Sequence, residues 1–135
     1  WMSDWTFKGQ LFDGVIGDNV GFIYLITNTI NGRKYVGQKG FWTRKTKITK
    51  GVKKKIKVES DWRDYYGSCQ ELLNDISELG KENFTREILS LHKAKGVMNY
   101  VESKMQFDLK VLESDEYYNR IINCRINQSH LKTLL

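Results

Sequence analysis

The sequence predicts a small α/β domain, a three-stranded mixed or antiparallel sheet flanked by helices, and three observations carry that expectation. Two strand-like runs, residues 22–27 and 34–38, flank Asn31-Gly32, the strongest short hairpin signal in the chain. Two later segments, 69–79 and 95–112, repeat apolar residues at helical spacing. Between them residues 84–91, FTREILSL, mix β-branched and aromatic residues with charge and read as a third strand. At 135 residues the chain suits one compact domain with one core. Its expected bounds are 21–120, with a lead-in at 1–20 and a tail at 121–135.

Residues 2–20 scatter aromatics and glycines without sustained periodicity, which suggests an extended segment draped over the core. Trp1, standing before Met2, reads as an added residue, with Met2 the natural start. In the hairpin, loop length decides whether Tyr24 and Tyr35 share a face, because a one-residue slip turns every side chain over. An even-numbered loop such as 29–32 pairs Tyr24 with Gly37 and Tyr35 with Ile26, leaving the phenols diagonal neighbours roughly 7–8 Å apart. An odd-numbered loop separates them, and both faces of the strand are apolar enough to be buried, so alternation leaves the two registers open. Ser68 followed by Glu71 is a capping box for a helix with Leu72, Leu73, Ile76 and Leu79 on its apolar side, ended at Gly80. In the second helix Met98, Val101, Met105, Leu109 and Leu112 form the apolar stripe. The tail has no clear pattern.

The net charge of +6 is entirely local. Residues 43–58, TRKTKITKGVKKKIKV, hold eight basic residues and no acidic one, and the remainder carries 14 basic against 16 acidic. Self-repulsion predicts an extended, mobile loop there. Charge concentrated beside a folded body suits a polyanion, nucleic acid above all, although a solubilising loop or a targeting signal has the same composition. The candidates for contact with DNA are Lys45, Lys47, Lys53, Lys54 and Lys55 in this run and Lys34 on the hairpin. Trp42 and Trp62 flank the run and either anchor its ends in the core or offer a ring to a base. Tyr65 and Tyr66, in DWRDYYGS, either touch DNA or close the turn before the first helix. Cys69 and Cys124 match neither a CxxC motif nor a zinc spacing, which suggests ordinary reduced thiols, and His92 and His130 are solitary. No run of about 18 apolar residues and no secretory start occur, so the expectation is a cytoplasmic protein without a membrane partner.

One carboxylate stands apart. Glu102 lies beside Val101 at the border of the second helix's apolar stripe, and no basic residue sits three or four positions from it. It is either a solvent-facing glutamate or a hard-cation ligand, since one carboxylate with waters and a substrate phosphate suffices for Mg²⁺.

In order, these features are GFIY ending at Tyr24, ITNTINGRKYVGQK containing Tyr35-Val36-Gly37, a basic segment, a helix, GKENFTREIL, and a helix bearing Glu102. Together they resemble the GIY-YIG nuclease family from about Gly21 to Asn119. The resemblance implies a stand-alone catalytic domain of a metal-dependent DNA endonuclease. Relatives of that kind include phage homing endonucleases, repair incision nucleases and restriction enzymes, and a phage enzyme would work in a bacterial cytoplasm. It also implies roles. Tyr24 and Tyr35 match the motif tyrosines, one a general base on the attacking water and the other orienting the water or the phosphate. Glu102 matches the single metal ligand, for Mg²⁺ or Mn²⁺, and Asn119, ending EYYN, matches an asparagine that shapes the site. The family's phosphate-neutralising arginine falls on Arg44, beside Lys45 at the usual spacing, or on Arg63; no histidine follows it, and Tyr65 or Tyr66 would substitute. A tyrosine of ordinary pKa, about 10, is a poor base at neutral pH. Cations nearby, the metal or Lys34 or Arg33, would lower it. One site cuts one strand, so double-strand cleavage calls for a homodimer or for sequential nicks. The competing expectation is a nucleic-acid-binding protein that keeps the fold without catalysis.

Overall fold

The computed structural model describes residues 5–134, so the reading of Trp1 and Met2 lies outside the described residues. The strands are β1 (Trp5–Phe7), β2 (Gln10–Leu11), β3 (Gly21–Asn28), β4 (Lys34–Gly40), β5 (Trp42–Thr49), β6 (Val52–Glu59) and β7 (Phe84–His92), and the helices are α1 (Gln70–Leu79) and α2 (Lys95–Asp108). A mixed five-stranded sheet runs in the order β2-β1-β7-β3-β4, and β5 and β6 form a separate two-stranded ribbon. The class is the α/β domain that the sequence predicts.

The hairpin follows the even-loop register. Thr27 pairs with Lys34, Ile26 with Tyr35 and Tyr24 with Gly37. The turn closes through Asn28, whose N–H donates to the Arg33 carbonyl at 2.8 Å, and Gly32 sits at φ 78°, the left-handed region that glycine enters freely. On the other side of β3, Ile23 pairs with Ser90 but Tyr24 with Ile88, a bulge beside Tyr24.

Alternation along β3 then sorts the core into two layers. Phe22, Tyr24 and Ile26 face α1 and pack with Trp5, Phe41, Trp62, Leu72 and Ile76. Ile23, with Val36, faces α2 and packs against Met98 and Val111. Both layers are buried, which is why β3 reads as a continuous apolar run.

The sheet is larger than the three strands expected because the lead-in joins it. β1 lies parallel to β7, with Trp5 opposite Arg86, and Trp5 is fully buried against Phe22 and Tyr24 at 4.9 and 5.7 Å between ring centres. Three residues are too few to show a period, so the burial of one tryptophan rather than a pattern fixes this strand.

The basic segment corrects the expectation of a mobile loop, for it is the β5–β6 ribbon. Thr43, Thr46, Ile48, Thr49, Val52, Ile56 and Val58 supply β-branched residues on both strands, and Lys50-Gly51, both at positive φ, make the turn. Local propensity therefore prevails over a repulsion that solvent and salt screen.

Two boundaries also shift. Cys69, not Ser68, precedes α1, with no side-chain cap, so the capping box does not form. α2 stops at Asp108, short of residue 112, because Lys110 takes φ 55° and turns Val111 back to donate to the Gln106 carbonyl at 3.2 Å.

Candidate active site

β4 is an edge strand, and the cleft of interest opens along it. Tyr24 and Tyr35 reach it from the α1 face, their ring centres 6.2 Å apart. Glu102 reaches it from α2, together with Asn99 one turn earlier and Gln38 on β4. The cleft holds about 430 Å³. Three of the residues singled out in the sequence, 24, 35 and 102, are thus brought to one place by strands and a helix far apart in the chain.

Gly37 makes this convergence sterically feasible. A Cβ there would lie 2.6 Å from Tyr24 Cζ and 3.0 Å from Tyr35 Cε2, so the missing side chain is the space that the Tyr24 phenol crosses to reach the edge. Tyr65 covers the same phenol edge-on at 6.0 Å between ring centres. Its own segment is pinned by Arg86, a buried cation that donates to the carbonyls of Arg63 at 3.1 Å and Tyr65 at 2.8 Å. The Arg86 guanidinium is sandwiched between Trp5, 4.5 Å away, and Tyr66, 4.1 Å away.

Asn119 does not enter the cleft. It is buried behind β4, where Oδ1 accepts from the Val36 N–H at 3.1 Å and Nδ2 donates to the Val36 carbonyl at 2.9 Å. Gln106 donates to the same carbonyl at 3.0 Å. Both side chains satisfy edge groups that have no strand partner, and they fix the backbone between Tyr35 and Gly37. The placement makes Asn119 a positioning residue.

Neither arginine candidate reaches the phenols. Arg63 stacks on Trp62 at 4.4 Å and pairs with Glu59 at 3.1 Å, and Arg44 lies on the ribbon in a neighbouring cleft. The cation that lines the phenol cleft is Arg125, from the tail, beside Asn123 and Ile126. No motif or period marks residues 121–126, and only their position after EYYN, which runs along β4 through a parallel bridge between Lys34 and Tyr117, could have pointed there. Of the other residues considered, Trp62 is a buried anchor, whereas Trp42 stays partly exposed under Lys57 at 4.6 Å. Lys34 Nζ turns back to the Gly32 carbonyl at 3.1 Å, and Lys45, Lys47, Lys53, Lys54 and Lys55 stand exposed on the ribbon.

Electrostatics reverses one expectation. Burial pushes the Tyr24 phenol well above its ordinary pKa, with Tyr65 and Tyr35 adding to the rise. Burial also raises Tyr35, against the opposing effect of the Ser68 hydroxyl. Arg33, expected to favour a phenolate, instead pairs with Glu71 at 2.8 Å and stacks on Tyr118 at 4.0 Å. Desolvation sets the direction with no side-chain cation acting against it, and both phenols hold their protons at neutral pH.

Glu102 is the most perturbed carboxylate, raised by burial to about 7. Among the described residues it has no ion-pair partner, and no cluster of three or more acidic, histidine or cysteine ligands occurs. In the same cleft the amide oxygen of Gln38 is buried without a hydrogen-bond partner, while its Nε2 donates to Asn99 Oδ1 at 2.8 Å. A desolvated carboxylate that shares a cleft with an unsatisfied oxygen donor is chemistry that suits a hard divalent cation.

A family model described as "Putative endonuclease segE, GIY-YIG domain" matches residues 5–122. No curated protein and no solved structure matches the chain.

Proposed function

The chain belongs to the GIY-YIG endonuclease family, and from that premise we propose that it is a metal-dependent DNA endonuclease of the homing type, cutting one strand per site. The observation that carries this reading is the meeting of Tyr24, Tyr35 and Glu102 in one cleft at the β4 edge. Phosphodiester hydrolysis needs an oriented water, stabilisation of the charge that grows on the non-bridging oxygens, and help for the departing oxygen.

Glu102 and the Gln38 amide oxygen would hold Mg²⁺ or Mn²⁺. When bound, such an ion supplies Lewis acidity and stabilises the leaving group. Tyr24, buried and protonated, donates its O–H to a non-bridging oxygen. Tyr35 orients the attacking water, whose proton leaves to solvent; it would take that proton itself only as a phenolate, the form that the Ser68 hydroxyl favours against burial. Arg125 supplies the planar double donor to the phosphate. Gly37 and Asn119 keep these groups in register without touching substrate.

A second reading, a DNA-binding protein without catalysis, draws on two observations: Arg44 and Arg63 lie away from the phenols, and both phenols are held protonated. Supercoiled plasmid separates the two. Nicking in Mg²⁺, absent in EDTA and absent in Glu102→Ala, is the expected result. Salt-sensitive retardation of DNA with no nicking by the wild-type protein would establish the binder instead. Among the described residues no helix is long and apolar enough to cross a membrane.

A further inference from the structure

The β5–β6 ribbon projects from the domain with nearly every residue exposed. Eight residues per strand at about 3.4 Å each give a length of roughly 27 Å. Two like-charged pairs stand directly opposite each other, Arg44 with Lys57 and Lys47 with Lys54. Such pairs destabilise a ribbon, and an isolated hairpin is marginal in water, so these strands gain most from a polyanion laid against them.

The register separates the basic residues into two faces. Arg44, Lys53, Lys55 and Lys57 share one with Thr46 and Ile48, while Lys45, Lys47 and Lys54 share the other with Ile56 and Val52. Only the first brings basic residues to the cleft that adjoins the active site. Arg44 and Lys57 line a second cleft with Lys39 and Lys95, and Gln38 lines both that cleft and the one holding the phenols. A positive track therefore runs from the scissile-phosphate position to the root of the ribbon and out along one face.

We infer that the Arg44–Lys57 face of the ribbon enters the major groove of duplex DNA next to the cleavage position and reads its sequence there; the inference rests on the endonuclease reading above. The dimensions agree, because a B-DNA major groove about 12 Å wide admits a two-stranded ribbon, and roughly 27 Å is most of a 34–36 Å helical turn. So does the chemistry of the face. Arg and Lys donate to guanine O6 and N7, Thr46 serves either partner, and Ile48 offers an apolar contact for a thymine methyl group. The opposite face then points away from the bases and contributes charge without selectivity.

Two triple variants that remove equal charge test the proposal: Lys53→Ser, Lys55→Ser and Lys57→Ser on the reading face, and Lys45→Ser, Lys47→Ser and Lys54→Ser on the other. Each is made in the wild-type protein and in Glu102→Gln, with thermal unfolding used to show that the domain is intact. Binding of the Glu102→Gln forms to a random-sequence 40-base-pair duplex is followed by retardation between 50 and 200 mM salt, and cut positions of the active forms are mapped on plasmid. The reading-face variant is expected to lose roughly 10-fold or more in binding beyond the other variant and to cut at altered positions. Methyl green, which occupies the major groove, should compete with the parent protein, and netropsin, which occupies the minor groove, should not. Equal losses from both variants with unchanged cut positions would overturn the ribbon's role and leave the nuclease standing. A parent that binds through this face but never cuts would keep the ribbon's role and remove the nuclease. Tighter binding to single-stranded or duplex RNA than to duplex DNA would overturn the groove assignment.

Discussion

Tyr24 lies across Gly37, its partner on the neighbouring strand, so closely that one added carbon at residue 37 would sit 2.6 Å from the phenol Cζ. The edge strand has no slack there, since Asn119 and Gln106 hold Val36 from the other side. Gly37→Ala should therefore displace the phenol and cost about 1–3 kcal/mol, the usual range for overpacking, and plasmid nicking should fall with it. Gly40→Ala, where a Cβ meets the Trp42 and Val20 carbonyls at 3.4 and 3.8 Å, is the milder comparison. Urea denaturation and nicking assays on both variants check the pair.

Glu102 sets a pH dependence. Its pKa is raised from 4.5 to about 7 in the folded protein, so between those values the folded state binds more protons than the unfolded one and stability falls as pH rises. Above pH 7 the desolvated carboxylate costs about 1–2 kcal/mol after solvent screening at a half-buried side chain is allowed for. Glu102→Gln should raise the Tm of metal-free protein at pH 8 and leave it nearly unchanged at pH 4. Mg²⁺ should raise the wild-type Tm at pH 8 and not that of the variant.

Arg125 carries the phosphate-binding expectation that Arg63 does not. Arg125→Ala should lower kcat by roughly 10²–10³-fold, the scale of one lost transition-state donor. Arg63→Ala, which removes an exposed ion pair with Glu59, should leave kcat little changed. Single-turnover cleavage of a nicking substrate distinguishes them.

Arg86 anchors the turn that covers Tyr24. Arg86→Ala removes the charge-assisted hydrogen bonds to the Arg63 and Tyr65 carbonyls and opens a cavity between Trp5 and Tyr66, a loss of roughly 2–4 kcal/mol measurable as a lower urea midpoint. Arg86→Lys should recover only part of it, because an ammonium can donate to both carbonyls but does not lie flat between two rings.

Different parts of the molecule were legible in the sequence to different degrees, for physical reasons. Asn31-Gly32 marked the hairpin because Gly32 takes the positive φ that closes the 29–32 loop. The register of Tyr24 and Tyr35 stayed open because both faces of β3 are buried, so no polar alternation marks one as outer. β5 and β6 were hidden by their lysines, whose repulsion argues for a loop while the intervening threonines, valines and isoleucines build a ribbon. Arg86 gave no sign of its role, since a buried cation in a strand is defined by carbonyls and rings contributed from elsewhere. Arg125 was missed because its tail has neither period nor motif and is placed by EYYN docking along β4.

The parallel pairing of Trp5 with Arg86 has a temporal consequence. A ribosome releases the first strand long before the seventh, and loop closure across that separation must precede any gain from the contact. Until β7 emerges, Trp5 has no sheet to enter and Tyr24 lacks one of its walls; Glu102, on the helix after β7, comes later still. On the proposed mechanism a nascent chain can carry its basic ribbon before it can cut, and a product truncated before residue 102 lacks the carboxylate assigned to the metal.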